Sequence, residues 1–132
     1  MENHKRRWAF VTLVFMNLLP YASRVAGGWA WVAQYLPDPG HELLGLLFFH
    51  GFYSTAAIPV ILGIFRGCRS TLPWLLPLIV VTMLTVLINH DYDLASDAQA
   101  AIGLVVFPLF TMTIGFLALG LGLLLQWRSA RE

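Results

Sequence analysis

A single cysteine, Cys68, leaves the chain unable to form an internal disulfide or any multi-cysteine metal framework. Charge is scarce as well. Only 11% of the 132 residues are Asp, Glu, Lys or Arg, against 58% hydrophobic, which is too little polar surface to coat a water-soluble globule of this size. No basic patch with interleaved aromatic residues occurs, so nothing points to nucleic acid as a partner. The sequence has no low-complexity tract, charge-rich region, long linker or internal repeat, and residues 1–132 read as one domain. It also lacks an HExxH or paired metal motif, and no serine, histidine and acid share a recognisable catalytic pattern. Nucleophilic catalysis is therefore poorly supported.

What the chain does contain is long apolar runs. Trp8 to about Gly27, Leu43 to Phe65, Leu72 to Ile88 and Ala100 to Leu125 each approach the roughly 20 residues needed to cross about 30 Å of hydrocarbon. The fold class predicted is an all-α integral membrane protein, a bundle of four transmembrane helices whose partner is the lipid bilayer. The first run has a rival reading, since Lys5-Arg6-Arg7 ahead of "WAFVTLVFMNLL" is also how a secretory signal begins; Arg24 and the want of a small-x-small cleavage site favour a retained helix. Lys5, Arg6 and Arg7, then Arg66 and Arg69, then Arg128 and Arg131 fall on one side of such a bundle, and Asp38, His41, Glu42, His90, Asp91, Asp93 and Asp97 on the other. By the positive-inside rule both termini face the cytoplasm of what reads as a bacterial inner membrane.

Local signals fit this layout. "LPDPGHE" is a turn, and "GGWAWVAQYL" before it, with Trp29, Trp31 and Tyr35, reads as a short interfacial segment after the first helix. Ser70-Thr71 ahead of Pro73 marks a helix start, and Ser96 with Gln99 reads as a capping box for the last helix. Pro20, Pro59 and Pro108 lie well inside their runs and should kink them. Cys68, close to a helix end, is an interfacial residue with acylation as a minor alternative.

Polar groups inside the apolar layer are costly and need an account. Asn17, Tyr21 and Arg24 align on one helix face, as do His50, Tyr53 and Ser54, and Thr82, Thr85 and Asn89 climb toward His90 and Asp93. One reading makes Asn17, Tyr21, Arg24, His50, Tyr53, Asn89 and His90 the walls of an outward-opening cavity for an ion or small ligand. The other has them satisfy one another between helices, with Arg24 snorkelling to Asp38 or Asp91. No cofactor is required. Haem held by His50 and His90 is an alternative, and His41, Glu42, His90, Asp91 and Asp93 are the set that would hold a divalent cation. Ala118 and Gly122 form a small-xxx-small pair that lets a helix approach closely, within the bundle or in another subunit.

Three functional classes follow: an accessory, assembly or structural subunit of a membrane complex; a small oligomeric transporter or channel; and a haem- or metal-binding redox subunit. The glutamate expected in the first span of a small multidrug exporter is absent, and His50 is the one proton-responsive group at depth. The accessory subunit is the expectation, because it needs only helices, short loops and a small-residue face.

Overall fold

A computed structural model describes residues 2–37, 39–67, 70–96 and 99–131. Asp38, Cys68, Arg69 and Asp97, named above, lie outside them. The described residues are helical, with no strand: α1 (Glu2–Arg24) continues as a 3₁₀ turn (Val25–Gly27), followed by α2 (Trp29–Ala33), α3 (Glu42–Thr55), α4 (Ile58–Arg66), α5 (Leu72–Asp91) and α6 (Ala100–Ser129). By length and apolar content α1 with its 3₁₀ turn, α5 and α6 can each cross a membrane, and α3 with α4 passes the same test as a pair bent by 44°. The bend sits where Pro59, in the first turn of α4, has no N–H to offer the carbonyl four residues back. Pro20 and Pro108, by contrast, lie within continuous helix, where only the bend at Pro59 divides a run in two.

α5 packs chiefly on α6, and also on α4 and α1. Its centre is Val81, packed with Met16 and Leu19 of α1 and with Ala56 and Ala57 at the α3–α4 bend. Small residues set these distances. A Cβ on Gly63 would land on the carbonyl of Pro73, and one on Gly122 would stand 2.7 Å from the carbonyl oxygen of Leu72. Gly122 is therefore spent on the junction between α6 and the start of α5, inside this chain, and Ala118 beside it is half-buried. Outward-facing positions carry large apolar side chains such as Leu43, Leu87 and Leu117, each about two-thirds exposed or more, which suits hydrocarbon and not water.

The start of α1, the end of α4 and the last turns of α6, which carry Lys5, Arg66 and Arg128, share one end of the bundle. Lys5 Nζ donates to the Phe65 carbonyl at 3.1 Å, joining the start of α1 to the end of α4, and Gly122 brings the last turns of α6 to the start of α5. Ser70 Oγ accepts from Leu72 N at 3.2 Å and opens α5 as its sequence suggests. The expected capping box does not form: Ser96 Oγ donates to Asp93 O instead, and α6 begins with Gln99 as a cap whose side chain does not close the turn.

Candidate functional site

Arg24 organises the acidic end. It closes α1, and the 3₁₀ turn after it ends at Gly28, whose φ of 87° lies in the left-handed region where a side chain would be strained. The chain reverses there, and α2 lays Trp31, Gln34 and Tyr35 over the end of α1. The Arg24 side chain is fully buried. Its Nε donates to Trp31 O at 2.8 Å, Nη1 to Asn89 O at 3.1 Å and Tyr92 O at 2.5 Å, and Nη2 to Gln34 Oε1 at 2.6 Å. The guanidinium carbon stands 4.1 Å from the centroid of the Trp31 ring and 4.1 Å from that of Tyr35. A planar guanidinium suits this place because its fixed fork serves several carbonyls at once while its charge lies over two aromatic rings.

The carbonyls of Asn89 and Tyr92 belong to the last turn and cap of α5, where helix carbonyls have no partner and the macrodipole is negative. Arg24 thus caps a neighbouring helix. Asp38, one expected partner of Arg24, lies outside the described residues, and the other, Asp91, accepts from His90 Nδ1 at 2.6 Å at the surface. The acid Arg24 reaches is Asp93, indirectly, because Gln34 Nε2 donates to Asp93 Oδ1 at 3.0 Å.

Asn89 lies beneath. Its Oδ1 accepts from Tyr35 Oη at 2.6 Å and Tyr53 Oη at 2.5 Å, and its Nδ2 donates to Thr85 O at 2.7 Å. Burial pushes the Tyr35 hydroxyl up to about 12 despite the lowering pull of the Arg24 charge, so it stays a donor at any ordinary pH. Tyr35 is 3% exposed, its ring packed with Phe49 and Tyr21 inside the bundle.

A second cluster lies between α1 and α3. His50 Nδ1 meets Asn17 Oδ1 at 2.8 Å and its Nε2 meets Tyr21 Oη at 3.3 Å, while Asn17 Nδ2 donates to Ser54 Oγ at 3.0 Å. Asn17, His50 and Ser54 line an open groove of about 510 Å³ together with Leu18, Leu43 and Leu47. His50 sits roughly 12 Å along α3 from Glu42, counted at 1.5 Å per residue.

The seven residues read as cavity walls do not all touch one another, though the Tyr21 ring packs on Tyr35 and Phe49 and so joins the two inner groups. Arg24, Tyr53 and Asn89 share the buried core; Asn17, Tyr21 and His50 join α1 to α3; His90 is exposed, with its backbone carbonyl accepting from Trp31 Nε1 at 2.9 Å. Of the cation set His41, Glu42, His90, Asp91 and Asp93, no three gather into a metal-holding group among the described residues. Both ring nitrogens of His50 are engaged, so haem ligation there would first have to break a bond to Asn17 or Tyr21. Gln34 and Tyr92 are not singled out by sequence, and Trp31 is read there only as an interfacial ring; the i, i+3, i+4 spacing of Trp31, Gln34 and Tyr35 after a lone arginine is the available signal. The chain matches no protein-family model, no curated protein and no solved structure, so its site is read from its own geometry.

Proposed function

We propose that the chain is a small four-span subunit of a bacterial inner-membrane complex, with both termini in the cytoplasm, working by contact with a larger membrane partner. One observation carries this reading: all seven polar side chains that sequence offers as a cavity wall are hydrogen-bonded within this chain, leaving none held ready for a substrate. A side chain already matched to its neighbours organises the bundle and contributes little to moving or transforming a ligand.

The contact face in this reading is the groove between α1 and α3. Leucines line it, and so do Asn17, His50 and Ser54, which are half-buried. Half-covered polar groups in hydrocarbon gain from a neighbouring helix that excludes lipid from them. Gly51 lines the same groove, and a Cβ there would meet nothing within 4 Å, so Gly51→Leu adds its bulk to the groove with no backbone clash at its first carbon. Purified gently from its native membrane, the wild type should carry a stoichiometric partner, and Gly51→Leu should fold normally yet come away alone. A chain that purifies without any partner, or Gly51→Leu retaining the same partner in full, would overturn the reading. A Soret band in that sample would replace it with the redox one.

A further inference from the structure

We propose that the cleft between α1, α4 and α5 at the basic end is a binding site for one anionic phospholipid. The cleft measures about 520 Å³. Val11, Phe15, Ile64 and Leu78 supply apolar walls, Trp8 and Trp74 line it as well, and His4 and Lys5 belong to its lining near the start of α1. From His4 to Phe15 the helix rises roughly 16 Å, about half of the 30 Å hydrocarbon thickness. An occupant of that reach is matched to one leaflet, which suits a lipid tail and falls short of a membrane-crossing helix.

Charge selects the headgroup. Lys5 uses one N–H of its ammonium on the Phe65 carbonyl, which fixes it at the end of α4 and leaves the others for a ligand. Arg66 is the next residue along that helix. Among the described residues Glu2 is the sole carboxylate at this end, and Arg6 takes it at 3.0 Å; neither Arg7 nor Arg66 has an ion-pair partner. Basic side chains over an apolar slot are complementary to a phosphodiester joined to acyl chains, and tryptophan rings favour the level at which that junction sits. A free phosphate would satisfy the charge and leave the slot empty.

The test uses the full-length purified protein and native mass spectrometry, with phosphatidylglycerol and phosphatidylcholine supplied in equal amounts. The wild type should retain one phosphatidylglycerol in preference to phosphatidylcholine. Lys5→Gln should reduce that preference about fivefold, the effect of one basic group near a lipid surface. Val11→Trp, at a half-exposed position in the cleft, should expel both lipids while the protein stays folded. Excess inorganic phosphate should not displace the bound lipid. Equal retention of the two lipids by the wild type, undiminished preference in Lys5→Gln, or displacement by phosphate would overturn the proposal.

Discussion

Replacing Arg24 by methionine keeps most of the side-chain length and removes the buried cation. Four carbonyl oxygens, those of Trp31, Asn89, Tyr92 and the Gln34 amide, then lose the Arg24 donor, and of these Gln34 Oε1 keeps Leu94 N. Hydrogen bonds from a charged donor contribute roughly 1.5–3 kcal/mol each, and each ring under the cation contributes about 1 kcal/mol. Against that gross sum stands the desolvation of the guanidinium, which costs several kcal/mol in the wild type and vanishes in the variant. The net loss expected is about 3–5 kcal/mol, the usual result of removing one partner from a buried charged network. Arg24→Lys should recover only part of it, because an ammonium has three donors for four acceptors and no plane to set against Trp31 and Tyr35. Denaturant titration in mild detergent measures the loss. Limited proteolysis across residues 25–41 reports where it acts, since Arg24 ties that segment to α5. An Arg24→Met protein within about 1 kcal/mol of the wild type, and equally protease-resistant, would refute the claim that this cation holds the acidic end together.

Two glycine substitutions separate close packing from open surface. Gly63→Ala drives a methyl onto the Pro73 carbonyl and should destabilise by about 1–3 kcal/mol, whereas Gly120→Ala, which meets nothing within 4 Å, should be neutral or stabilise by up to about 1 kcal/mol through helix propensity; thermal unfolding of the two in one detergent decides it. In a Cys68→Ser background, Thr71→Cys and Ala95→Cys, both at exposed positions, should react with an impermeant thiol reagent from opposite faces of the membrane. Reaction from one face would contradict four spans.

The candidate site was half legible. Helical spacing put Tyr53 and Asn89 on inward faces, and the cost of polar groups in hydrocarbon explained why they needed partners. Spacing within one helix carries no information about which neighbour answers, and so it did not pair Asn89 with Tyr35, a residue 54 positions away along the chain. Arg24 shows the same limit more sharply. Its long stem and the acidic turns suggested an outward reach, yet the α2 segment folds back over it and supplies carbonyls and rings from closer at hand.

The sequence by itself determined the helices and their approximate ends, because apolar runs, turn residues and prolines act locally, and it determined that the basic clusters would fall together, because alternating helices return the chain to the same end. Only the tertiary structure decided which neighbour each polar side chain meets, that Gly122 packs on the chain's own α5, and that the run containing Pro59 is bent by 44°. Those outcomes depend on which surfaces meet, and a contact between distant segments is fixed by shape and hydrogen-bond complementarity that no stretch of sequence specifies alone.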